Sequence, residues 1–123
     1  MNAEKSFTSG HFPYLPITVL INKHLQTFEA LLDTGFDGDI VIPEDCVPKG
    51  QTPDSYFHLT LADPTATVLA PSYLGKVEVA NLGDSGASAA IICALGTVAI
   101  IGRNLARKFH ISLEYGRRIT IRP

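Results

Sequence analysis

A mostly β single domain with one short C-terminal helix is the fold class this sequence predicts. Three observations predict it. Apolar and polar residues alternate strictly in several short runs, Gly, Pro, Asn and Asp separate those runs, and only one segment carries a helical spacing. The chain has 123 residues, of which 46% are hydrophobic, enough for one compact core.

The elements follow in order. Ile17, Val19 and Ile21 alternate with Thr18 and Leu20 and predict a first strand, and "INKHL" at 21–25 reads as the turn after it. "TFEALL" predicts a second strand that ends at Asp33. Leu59 and Leu61 alternate with His58 and Thr60, and "ADPT" at 62–65 reads as a hairpin tip because Asp-Pro starts turns. Val77 and Val79 flank Glu78 in a further strand. From Ser85 to Gly102 the chain carries no charge, but Gly86, Gly96 and two serines interrupt it and Ala outweighs Leu. Two buried strands joined at a Gly turn fit this better than a membrane span. "RNLARKFH" at 103–110 places Leu105 and Phe109 four apart on one helical face. Ile111 and Leu113, the turn "YGRR" at 115–118, and Ile119 and Ile121 then predict a closing hairpin. No internal repeat, low-complexity tract or second domain is visible. The polar residues 1–10 read as a flexible N-terminal arm, and 11–123 as the domain.

Composition narrows the function classes. A net charge of −2 gives no general attraction to nucleic acid or to an anionic membrane. Six of the ten basic residues (Arg103, Arg107, Lys108, Arg117, Arg118 and Arg122) fall in the last 21 positions, where they read as solvated charge on a helix and a hairpin. Cys46 and Cys93 form no C-x-x-C, so reduced thiols in a cytoplasmic protein are expected. "MNAEKSFTSG" has no apolar run of the kind a secretory leader needs.

The stretch that carries chemistry is "LLDTGFDGDIVIP", residues 31–43. A strand that runs into a carboxylate is costly unless that group is paired, hydrogen-bonded or neutralised. Thr34 adds a hydroxyl, and Gly35 leaves room for another chain to approach. This is a device for presenting Asp33 at the floor of a cleft. One such carboxylate binds a water. Two facing each other share a proton, so the ionised member takes a proton from water while the protonated member polarises a peptide carbonyl.

"ALLDTGFDGDIVIP" followed far downstream by "AIIGRNLARKF" resembles the retropepsin-like, clan AA aspartic proteases, and the Phe after the triad resembles a bacterial and archaeal D-T-G-F subgroup. The resemblance spans roughly residues 15–122. It implies a single-lobe acid-protease fold, a closed or partly open β-barrel with one short C-terminal helix. It also implies roles. Asp33 would be the catalytic carboxylate, Thr34 would hydrogen-bond to its counterpart across a dimer axis, and Gly35 would receive substrate backbone. Asp37 would pair with Arg103, after Gly102, and brace the loop against the helix. One lobe supplies one Asp, so a two-fold homodimer acting on a peptide or protein substrate is implied. The hairpin 56–73 would be the flap, with Ala62, Asp63 and Pro64 at its tip, and Phe36 is either a core residue or a wall of the cleft. Tyr56 and Tyr73 flank that hairpin, either as ordinary strand residues or as substrate contacts.

Other motifs lead nowhere. "LGDSG" around Asp84 follows a turn-like sequence rather than a strand. Asp33, Asp37 and Asp39 lack the acid spacing and distal Glu of a calcium loop. His11, His24, His58 and His110 have no metal-ligand spacing, and no phosphate-binding loop is present. The expected enzyme uses no metal and no cofactor. Two readings remain: an aspartic endopeptidase, or the same fold kept as a dimerisation or peptide-binding module. The large Phe36 and a flap tip without glycine motivate the second.

Overall fold

The computed structural model describes residues 4–47, 50–60, 65, 67–82, 88–94 and 98–123. Among the described residues ten strands run in chain order: β1 Lys5–Thr8, β2 Tyr14–Ile21, β3 His24–Leu32, β4 Ile40–Pro43, β5 Ser55–Thr60, β6 Thr67–Val79, β7 Ser88–Ala94, β8 Ala99–Ile101, β9 His110–Glu114 and β10 Arg118–Arg122. A 3-10 turn at Glu44–Cys46 follows β4, and the helix α1, Arg103–Ala106, follows β8.

Seven strands form one sheet in the order β2-β3-β8-β4-β7-β6-β5, and β2 also pairs with β6. That extra pairing closes six of them into a barrel and leaves β5 outside it. The long β6 makes this possible. Its first half, from Thr67 to Ser72, pairs with β5 as a hairpin, and its second half pairs with β7 and β2. Three further strands, in the order β1-β10-β9, make a separate small antiparallel sheet.

The alternation in the sequence becomes the two faces of these strands. Along β2, Leu15, Ile17, Val19 and Ile21 are buried and their neighbours only partly so. Each such side chain, fully buried, contributes roughly 1.5–3 kcal/mol. The strand β4 departs from alternation because all four of its residues are buried. It is an inner strand between β8 and β7, and each of its faces meets a different apolar cluster. Ile40 and Ile42 join the barrel core, while Val41 turns the other way and packs with Ile92 and Ala70 in a second cluster under the hairpin.

Several expectations meet their residues. The strand "TFEALL" does end at Leu32, and Asn22, with φ 53°, makes the turn between β2 and β3. The uncharged stretch contains the two strands β7 and β8, and no described helix is long and apolar enough to cross a membrane. Two expectations need correction. The helix read across 103–110 stops at Ala106, and His110 already opens β9. Leu105 still enters the core and Phe109 still packs against it, the latter from a turn rather than a helix. Residues 5–8, read as part of a flexible arm, form β1. Its register with β10 runs from Lys5 opposite Ile121 to Thr8 opposite Arg118, and Phe7 packs against the core. The expected flap tip, Ala62, Asp63 and Pro64, lies outside the described residues, as do the turn at Gly96 and the Asp84-Ser85-Gly86 triad.

Candidate active site

Asp33 is the first residue past a parallel pairing. Leu32 of β3 stands opposite Ile101 of β8, and the Asp33 amide then donates to the Ile101 carbonyl at 2.9 Å. This bond fixes the backbone where the carboxylate begins. The loop turns at once: the Phe36 amide donates to the Asp33 carbonyl at 3.2 Å, and the Gly35 amide donates to Asp33 Oδ1 at 2.9 Å. Asp33 is half-buried, while Thr34 and Gly35 are exposed. Gly35 does not adopt a positive φ. Its value is space, because a Cβ there would sit 3.2 Å from Asp33 Oδ1.

The segment after β8 holds this loop from below. Three successive amides, of Gly102, Arg103 and Asn104, donate to the carbonyls of Asp39, Phe36 and Gly38 at 2.9, 2.7 and 3.2 Å. A Cβ at Gly102 would collide with the Gly38 carbonyl and stand 2.6 Å from Phe36 Cδ2, so only glycine allows this approach. The Arg103 guanidinium donates to the Asp37 carboxylate, and the two side chains are 62% and 75% exposed. The structure thus brings together Asp33, Gly35, Asp37, Gly102 and Arg103, with Phe36 between them.

Two residues that sequence reasoning missed complete the loop. Asp39 Oδ1 accepts from the Asn104 side-chain amide at 2.7 Å, and Oδ2 accepts from the Ala90 backbone amide at 3.0 Å. One carboxylate therefore ties the loop to α1 and to β7. The available signal was an acid placed directly before a fully apolar strand, a position that demands hydrogen-bond partners.

Phe36 lies partly buried against Val41, Ala70 and Ile92. Its ring meets the edge of Phe57 on β5 at a centroid distance of 6.3 Å and an angle of 77°, a favourable aromatic geometry. It both packs in a core and lines a cleft, joining the two roles that sequence left open. That cleft has a volume of about 350 Å³. Asp33 and Gly35 line it together with Phe36, Leu59, Val98 and Ile100. Tyr73 sits in the core and Tyr56 is exposed on β5. On the far side of the loop, Leu32, Thr34, Arg103, Phe109, Ile111 and Leu113 line a second hollow of about 330 Å³. Among the described residues, no group of three or more His, Cys, Asp or Glu side chains is arranged to hold a metal ion.

No protein-family model matches the chain, and no curated protein matches it in sequence. Among solved structures it is similar to the crystal structure of a retropepsin-like aspartic protease from Rickettsia conorii, with a TM-score of 0.65 and 14% sequence identity. The match covers 99% of this chain and 92% of that one. At that identity the likeness is one of architecture. The chain has the single-lobe, retropepsin-like fold, mainly β, with a closed barrel and one short C-terminal helix.

Proposed function

We propose that this chain is an aspartic-type endopeptidase of the D-T-G-F kind, working as a homodimer. One observation supports the reading: Asp33 lines a cleft whose other described lining is apolar apart from Thr60 and backbone, and its carboxylate accepts a hydrogen bond from the Gly35 amide. A single lobe supplies one such carboxylate. Two lobes related by a two-fold axis would place two Asp33 groups around one water.

In that arrangement one Asp33 is ionised and removes a proton from the water. The other is protonated and donates a hydrogen bond to the scissile carbonyl oxygen. Water oxygen bonds to the carbonyl carbon, a proton passes to the leaving nitrogen, and the C–N bond breaks with no covalent enzyme intermediate. Thr34, exposed beside Asp33, would bond to its counterpart across the axis, and Gly35 would receive substrate backbone. Asp37, Gly102 and Arg103 would hold the loop. The hairpin β5–β6, with Ala62, Asp63 and Pro64 at its tip, would cover the substrate. The reading includes a cytoplasmic enzyme acting on peptides or proteins, with no metal, cofactor, nucleic acid or membrane involved.

The test is cleavage of an unbiased peptide library between about pH 4 and 7, the range a shared-proton carboxylate pair favours. Wild type is expected to cleave, with a rate that rises faster than linearly with protein concentration. Asp33→Asn is expected to lose at least about 10³-fold, since the nucleophilic water loses its base. Cleavage by the variant at the wild-type rate would refute the proposal. The bulk of Phe36 in the cleft favours a second reading, a peptide-binding module. Equal peptide binding by wild type and Asp33→Asn, with neither cutting, would support it.

A further inference from the structure

We infer that a hollow adjoining the Asp33 cleft is a subsite for a long basic side chain of the bound peptide, with Glu44 as the partner of its cation. The inference rests on the reading that the Asp33 cleft receives peptide. Two observations carry it: where the hollow lies, and the charge in its lining. The hollow has a volume of about 330 Å³, and Leu59, Val68, Leu69 and Pro71 of the β5–β6 hairpin, Ala94 of β7 and Glu44 are among its lining. Leu59 and Ala94 also line the Asp33 cleft, so the two hollows are direct neighbours. An extended peptide advances about 3.3 Å per residue, so one of several residues seated beside Asp33 spans both.

The lining sets the chemistry. Glu44 is its one carboxylate, and the other side chains are apolar or, at Cys93, a buried thiol. Glu44 is exposed where the chain leaves β4, and among the described residues no cation pairs with it. Burial first, and then the charges of Cys46 and Glu44, raise the Cys93 pKa, which agrees with Glu44 and Cys93 facing one hollow. Apolar walls with an anion at a wet edge suit an amphipathic side chain. Lys and Arg lay their methylene stems on apolar surface and keep the charged head in water. An acidic side chain would meet Glu44 as a like charge, and a short cation would leave the apolar walls uncovered.

The experiment reads binding in an Asp33→Asn parent, which prevents turnover and removes the other carboxylate that could attract a cation. Labelled octapeptides of Ala and Val carry one test residue, Lys, Glu or diaminopropionic acid, moved through every position. At one position, or two in a symmetric dimer, Lys is expected to bind about tenfold more tightly than Glu. It is also expected to bind about tenfold more tightly than diaminopropionic acid, whose stem is three methylenes shorter. Glu44→Gln is expected to bring the Lys and Glu peptides within about twofold and to keep the preference for the longer stem. Glu44→Lys is expected to invert the order of Lys and Glu. Asp45→Asn changes the next acid, which is exposed and does not line the hollow, and is expected to leave the order as it was. Both positions are exposed, so these variants are expected to fold. No Lys preference at any position, no peptide binding, a preference that neither Glu44 variant changes, or an equal loss in Asp45→Asn would overturn the proposal. Wild-type cleavage of the same peptides is read in parallel. Ranked binding without cleavage would sink the endopeptidase reading alone, and cleavage without a Lys preference would sink this inference alone.

Discussion

Asp37 and Asp39 lie two residues apart on one loop, yet their surroundings give them very different weight. Asp37 pairs with Arg103 in the open, where water screens the charges and two mobile side chains must be ordered. Asp39 is half-buried, and both of its carboxylate oxygens accept hydrogen bonds from other elements. Removing it would leave the Ala90 amide without its partner. Asp39→Ala is therefore expected to destabilise the fold by roughly 2–3 kcal/mol, and Asp37→Ala by no more than about 1 kcal/mol. Urea denaturation of the two variants compares them directly, and equal losses would count against this ranking. The residues were unequally legible. Asp33 stands out because a carboxylate interrupts an apolar run, and Arg103 because it follows Gly102 in a recognisable frame. The place of Asp39 before an apolar strand shows that it needs partners, but which ones they are is legible only once β7 and α1 are known to pass beside it, a matter of tertiary contact.

Among the elements, the loop from Asp33 to Asp39 and the segment from Gly102 to Asn104 act as one unit. Each supplies what the other lacks: the loop has free carbonyls, and the start of α1 has free amides. Their backbones approach so closely that a methyl group at residue 102 has nowhere to go. Gly102→Ala is expected to cost about 1–3 kcal/mol in stability, the usual penalty of overpacking. Because the forced shift falls on the carbonyls beneath Asp33, any Asp33-dependent activity should drop further than stability alone explains. Thermal melting and turnover measured on the same preparation check this. The strands were readable because alternation maps directly onto their two faces. The helix was overextended because Leu105 and Phe109 are both inward-facing, and a spacing of four does not distinguish a helix from a turn entering a strand. The strand β1 was unreadable for a different reason. It is short and polar, and its pairing with β10 depends on partners more than a hundred residues away.

For the molecule as a whole, a closed barrel packs its core from every side, and the thiol of Cys93 is caught inside it. Burial, with smaller contributions from the charges of Cys46 and Glu44, pushes its pKa from 9.0 to about 12. The folded chain therefore keeps a proton that the unfolded chain releases in mild alkali. Below about pH 9 both states hold it, and stability is unaffected; between about 9 and 12 the unfolded state binds fewer protons, so stability falls as pH rises. Urea midpoints are expected to decline from pH 9 upward, with a smaller slope in Cys93→Ala, and an identical slope in that variant would contradict the assignment. Cys93 is also expected to resist alkylation until the protein unfolds.

The parallel pairing of β3 with β8 has a temporal consequence. A ribosome makes β3 early and β8 much later, and contacts this distant in sequence form slowly. Until residues 99–104 emerge, the Asp33 amide has no Ile101 carbonyl to bind, and the loop carbonyls of Phe36, Gly38 and Asp39 have no amides beneath them. A nascent chain thus carries Asp33 without the bonds that fix its loop. The loop takes its folded geometry only when that late segment is in place, and on the endopeptidase reading a half-made chain would have no assembled site.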